Sequence, residues 1–150
     1  MSDGTGAGRV IAFDLGDRRI GVAVSDPGRT IADGRDTLER SGESYPWRAL
    51  LAAVQEAEAV RVVVGDPLHL DGTVGGRATR SREFAEEIAR RTGLPVDLQD
   101  ERLTSVQARR TLIETRPRGG KKRKDRREDV DKVAAVLILQ AWLDTAAARP

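Results

Sequence analysis

The apolar positions of the chain fall into two periodicities, and the switches between them lay out the elements. Val10 to Leu15 is a short apolar run stopped by Gly16, and Ile20 to Val24 is a second with Gly21 inside it, so the pair predicts an antiparallel hairpin. Strand side chains alternate between faces, which puts Val10, Ala12, Asp14 and Gly16 on one side and Ile11, Phe13 and Leu15 on the other. Asp26-Pro27-Gly28-Arg29 reads as a turn, and Thr30 to Leu38 as a weaker strand whose Ile31 and Ala32 suit a sheet edge. Behind Pro46, the residues Trp47, Leu50, Leu51 and Val54 recur at helical spacing and predict a helix to about Ala59. Val60 to Gly65 is β-branched and ends at a glycine, the pattern of a strand covered by helices. Gly65 to Gly76 carries closely spaced turn signals and is expected to be a structured loop at the strand end. Arg77 to Thr92 regains helical spacing through Ala78, Phe84, Ala85, Ile88 and Ala89, with Gly93 as its stop.

Pro95 to Gln99 is a further short strand, and Thr104 with Gln107 has the form of a capping box for a helix to about Glu114. Between Glu114 and Asp129 no apolar residue occurs except Pro117, so 116–128 is expected to be a mobile basic loop. From Val130 the pattern changes: Val133, Ala134, Leu137, Ile138, Ala141 and Trp142 make a wide apolar face on a helix ending near Ala146. Strand, strand, strand, helix, strand, helix, strand, helix, helix argues for an α/β domain with a mixed sheet, antiparallel first and parallel later.

A chain of 150 residues is the size of one self-sufficient domain. Residues 1–8 are small and polar, a flexible tail ahead of a single domain over 9–146. Cysteine is absent, which excludes a disulfide framework and thiolate metal ligation. No signal peptide and no run of membrane-spanning length is present, and the expectation is a soluble cytoplasmic protein with no membrane partner. The net formal charge of +2 conceals an uneven division. Residues 116 to 127 hold Arg116, Arg118, Lys121, Lys122, Arg123, Lys124, Arg126 and Arg127 against Asp125 alone, a local +7 that leaves −5 on the rest.

Three carboxylates stand where strands end or a helix begins: Asp14 on the first strand, Glu101 after the last, and Asp131 in the first turn of the terminal helix. Each has a plain structural reading, as a turn cap before Gly16, a partner of Arg102 or a complement to the helix dipole. Converging, they would repel one another, which a divalent cation or a raised pKa relieves. All-oxygen donors suit Mg²⁺ or Mn²⁺, and two such ions roughly 4 Å apart serve phosphodiester hydrolysis. His69, the one histidine, is a lone loop residue without an assigned role, and Asp71 before Gly72 reads as a turn residue.

Four motifs in order carry a family resemblance: Ala12-Phe-Asp14-Leu-Gly-Asp-Arg-Arg-Ile-Gly-Val-Ala-Val24, Val63-Val-Gly65-Asp-Pro67-Leu-His-Leu-Asp71-Gly72-Thr73, Asp100-Glu101-Arg-Leu-Thr-Ser105, and Val130-Asp131-Lys-Val-Ala-Ala-Val-Leu-Ile-Leu-Gln140. Over about residues 9 to 145 the chain closely resembles the YqgF family, bacterial pre-16S ribosomal RNA nucleases also described as Holliday-junction-resolvase-like. The resemblance implies a ribonuclease H-like fold with a mixed five-stranded sheet flanked by helices, and cleavage of nucleic-acid phosphodiesters with divalent metal. It implies that Asp14, Glu101 and Asp131 form the catalytic and metal-binding site. Asp129 lies two residues from Asp131, and the following Val-Ala-Ala register favours Asp131. The loop with Pro67, Leu68, Gly72 and Thr73 would border the substrate groove. Arg18, Arg102, Arg118, Lys121, Lys122, Arg123, Lys124 and Arg126 are the expected nucleic-acid contacts. The chain departs from the family pattern at Asp66, where an apolar residue is usual, and in a longer, more basic stretch before Asp131.

The expected substrate is structured RNA such as pre-16S rRNA, with branched DNA as the alternative; monomer and homodimer stay open. With few aromatic residues, binding is expected to be led by charge and shape rather than base stacking. Two readings from other classes remain: an ATP-binding protein of the actin and sugar-kinase type, suggested by Asp14-Leu-Gly-Asp-Arg18, and a non-catalytic ribosome-assembly binder. The kinase-type folds need two such domains, which this length does not supply.

Overall fold

The computed structural model describes residues 8–42, 44–66, 76–101 and 123–145, without the side chains at 77, 78 and 123–131. β1 (Arg9–Leu15) and β2 (Arg19–Ser25) form the expected hairpin, paired from Leu15 with Ile20 to Ile11 with Val24. β3 (Ala32–Glu39) adds antiparallel to β2 and is one edge of the sheet. After α1 (Trp47–Glu56) the chain returns as β4 (Ala59–Asp66), parallel to β1. α2 (Gly76–Thr92) then leads to β5 (Val96–Asp100), parallel to β4, and α3 (Arg123–Leu143) closes the described chain. The five strands lie in the order β3-β2-β1-β4-β5. The mixed sheet, antiparallel and then parallel, is as the sequence pattern required.

Alternation along β1 divides the core into two layers. Ile11 and Phe13 join Val62 and Val64 of β4 under α1 and α2, where Leu50, Val54, Phe84, Ala85 and Ile88 are buried. Val10, Ala12, Ala23 and Val63 face α3 and meet Ala134, Ala135, Ile138, Leu139 and Trp142. Seven fully buried residues of β1 and β4 on the two faces, Val10, Ile11, Ala12, Phe13, Val62, Val63 and Val64, make these strands the centre of the domain. At the start of α1 the rings of Trp47 and Phe84 stack with centroids 5.4 Å apart, and Phe13 meets Phe84 edge-on at 6.0 Å. Such pairs contribute about 1 kcal/mol each beyond the area they bury.

Side chains fix two of the connections. Asp26 Oδ1 accepts the backbone N–H groups of Thr30 and Ile31 at 2.7 and 2.9 Å, closing the turn before β3 and holding the Asp26 carboxyl below its ordinary value. Gln140 of α3 accepts Ala32 N–H and donates to Thr30 C=O, both at 3.0 Å, and so pins the start of the edge strand to the helix.

Three helix boundaries differ from the sequence pattern, the plainest being that α3 ends at Leu143 and not near Ala146. α1 stops at Glu56, short of Ala59, because Glu58 takes a φ of +52° and turns the chain into β4 without glycine or proline to announce it. α3 begins at Arg123, seven residues before Val130, so the last part of the stretch expected as a mobile loop is helical. Lys, Arg and Glu are good helix formers, and no glycine or proline follows Gly120 until the end of the helix, so propensity carries it beyond its apolar face. Residues 1–7 of the tail expected over 1–8, the loop after Asp66 and the Thr104 capping-box helix lie outside the described residues. Among the described residues no helix is long and apolar enough to cross a membrane.

Candidate active site

Asp14 is the penultimate residue of β1 and is 2% exposed. Alternation with Val10 and Ala12 places it on the α3 face. Its neighbours across the sheet there are both glycines. Gly21 of β2 is its register partner, and Gly65 of β4 lies one step beyond the Phe13–Val64 pair. No β-carbon stands on either side of the carboxylate, the close-approach use of glycine in a strand.

Glu101, directly after β5, packs against Gly65 on this face and is 3% exposed. A methyl group on Gly65 would stand 3.2 Å from its Oε2, 3.5 Å from its Cδ and 2.7 Å from Cδ1 of Ile138. The Glu101 carboxylate therefore lies over β4, one strand spacing, about 4.8 Å, from β1 and on the face that carries Asp14. Two buried carboxylates share one glycine-floored site at the end of the parallel strands, where ligands bind in open α/β sheets.

Asp131 lies on α3, but its side chain is outside the described residues. Helical spacing puts position 131 on the stripe of Ala134, Ala135 and Ile138, which the sheet buries. Among the described residues no three His, Cys, Asp or Glu side chains group at metal-binding range. The structure thus brings together two of the three acids, and the third rests on the sequence. A pair of buried, all-oxygen donors on one face of the sheet fits a hard divalent cation, because carboxylates drawn together at such burial repel and a cation between them offsets the cost.

Of the expected nucleic-acid contacts, Arg18 is exposed at the hairpin turn. Arg123, Lys124 and Arg126 belong to the first turns of α3, without described side chains. Arg102, Arg118, Lys121 and Lys122, and the groove residues Pro67, Leu68, Gly72 and Thr73, lie outside the described residues.

Two residues beside the site had no assigned role in the sequence. Asp66 ends β4 facing α2, opposite Gly65, and is 5% exposed; its Oδ2 is 3.4 Å from Arg82 Nη2, and its Oδ1 is buried without a hydrogen-bond partner among the described residues. Its only sequence signal was the departure from the family pattern. Arg40, past the end of β3, donates from Nη1 to the Gly16 carbonyl at 2.8 Å, and its guanidinium carbon lies 4.4 Å from the centroid of the Tyr45 ring. No periodicity singles it out, because a loop arginine acquires its place only when the hairpin and Tyr45 meet.

This order of strands, with helices on both faces and acids at the strand ends, is the ribonuclease H-like fold. The solved structure of T. thermophilus RuvC in complex with a Holliday junction substrate shares it, with a TM-score of 0.51 at 15% identity over 93% of this chain and 98% of that one. The profile of the RuvX Holliday junction resolvase family matches residues 8–145, and the chain belongs to that family. Relatives named "Putative pre-16S rRNA nuclease" include a protein of Listeria innocua, 43% identical over 91% of this chain and 98% of the relative. Another is from Myxococcus xanthus, 45% identical over 91% of this chain and 87% of the relative. A third, from Mycobacterium ulcerans, is 43% identical over 96% and 83%. The family match bears out the resemblance read from the four motifs.

Proposed function

We propose that the protein is a divalent-metal-dependent nuclease that hydrolyses phosphodiester bonds of precursor 16S rRNA. The observation that carries this reading is the placement of Asp14 and Glu101 beside Gly65, two buried carboxylates on one face of the sheet. With Asp131 they would hold Mg²⁺ or Mn²⁺ through oxygen ligands, two ions being the arrangement that serves phosphodiester chemistry. When bound, the metal supplies activation of water and neutralisation of charge at the scissile phosphate. The chain's own residues do the rest: Asp14 is held by the rigid β1–β2 hairpin, Glu101 by the end of β5, and the basic stretch 116–127 offers phosphate contacts. A site in the cytoplasm agrees with an RNA-processing role.

A second substrate, branched DNA, is favoured by the family's description as a Holliday junction resolvase. The same chemistry serves both, so a precursor rRNA and a four-way DNA junction are to be offered side by side with Mn²⁺. Preferential cleavage of the RNA supports the first reading; cleavage of the junction alone replaces it with the second.

A further inference from the structure

We propose that a cleft at the turn end of the β1–β2 hairpin is a subsite for a phosphodiester of the bound strand, next to the scissile bond; it rests on the nuclease reading above. The cleft, about 560 Å³, is lined by Arg18 and Arg19 of the hairpin, Arg40 beyond β3 and Arg80 of α2, together with Asp17 and Glu39. Four guanidinium groups face two carboxylates, an excess of two positive charges. Guanidinium stays charged at any physiological pH, and its planar fork matches the oxygens of a phosphodiester.

Arg40 is built into the wall. Besides the Nη1 bond to Gly16 and the Tyr45 ring beneath it, its backbone N–H donates to the Arg18 carbonyl at 2.8 Å. Tyr45 is itself braced by Trp47 and Phe84, at centroid distances of 5.8 and 5.0 Å, so the support runs into the core. A cation held this way has little rotamer freedom left to lose on binding an anion.

Position makes the cleft part of the same site. Gly16, which Arg40 grips, is two residues beyond Asp14, roughly 7 Å along an extended chain. Phosphates follow one another on a duplex strand at about 3.4 Å of rise. A strand with one phosphate at Asp14 and Glu101 has another, one to three nucleotides away, at the arginines. Contacts of this kind fix register without reading bases.

The test is equilibrium binding of a labelled RNA hairpin across a salt series, in a Glu101→Gln background so that the probe stays whole. The Arg18→Gln/Arg80→Gln pair is introduced there, both positions being exposed, and thermal melting checks the fold. The expected result is about tenfold weaker binding at low salt. The log–log salt slope should also be shallower by about 0.7 to 0.9 for each phosphate that is no longer neutralised. Unchanged affinity and slope, with the Glu101→Gln parent binding normally, overturn the subsite and leave the nuclease reading standing. A parent that binds no RNA or DNA overturns both. Inorganic phosphate and ATP are titrated by calorimetry on the same proteins; a weakening confined to them, with RNA binding intact, overturns the subsite in favour of a free-phosphate site.

Discussion

Gly65 and Glu101 share one small volume: a methyl group on the glycine would stand 3.2 Å from the glutamate Oε2. The same methyl would press within 2.7 Å of Ile138 Cδ1, a side chain with no exposure. Gly65→Ala is therefore expected to cost about 1 to 3 kcal/mol by overpacking. It should lower cleavage more than that destabilisation explains, on the order of a hundredfold, because a carboxylate displaced by about 1 Å no longer holds its ligand in line. Melting and single-turnover cleavage on one preparation separate the effects. Full activity in a destabilised Gly65→Ala protein would show that the Glu101 carboxylate is not needed where it stands.

Two buried carboxylates on one face repel, and a bound divalent cation removes the repulsion. Mn²⁺ or Mg²⁺ is expected to raise the melting temperature, by about 2.7 kcal/mol of stability at a hundredfold excess over Kd. Asp14→Asn should lose most of this rise while its metal-free melting point stays level or climbs. A wild-type melting curve indifferent to both ions contradicts the site.

Among the described residues, Asp66 is 5% exposed with Oδ1 unbonded and only the long contact from Arg82 to Oδ2. A buried, under-satisfied carboxylate is a net cost, and an apolar side chain of similar size removes it. Asp66→Leu is expected to gain about 1 to 2 kcal/mol in urea unfolding at unchanged m-value. A lower midpoint would mean that the Arg82 contact outweighs the unpaired oxygen.

Asp26 is held below its ordinary carboxyl value of 3.8, first by the Ile31 N–H and then by that of Thr30. A depressed folded pKa stabilises above the unfolded value, and that stability disappears as pH falls through the folded one. The acid limb of the stability profile, below about pH 4, should accordingly be shallower in Asp26→Asn than in wild type. Parallel profiles by thermal melting over that range would remove Asp26 from the account.

What the sequence made legible follows from range. The hairpin, the face of Asp14 and the two core layers come from period-two alternation in Val10 to Leu15, a local property that tertiary packing reinforced. The end of α1 was hidden because Glu58, with a φ of +52°, makes the turn that glycine usually marks. The start of α3 was hidden because charged residues of high helix propensity leave no apolar stripe to read. For the site, Asp14 and Glu101 stood out as acids at strand ends, while the reason they fit together, the absence of a side chain at Gly65, appears only when β4 lies between them. Arg40 is longer-range still, since its partners Gly16 and Tyr45 belong to different loops.

The most direct measurement is cleavage of a 16S rRNA precursor and a four-way DNA junction, with and without Mn²⁺, by wild type and Glu101→Gln. The expected result is Mn²⁺-dependent cutting of the precursor by wild type and a fall of at least about a hundredfold in Glu101→Gln, with its melting point retained. Equal cutting by the two proteins, or cutting that ignores the metal, would contradict a nuclease site built on Asp14 and Glu101.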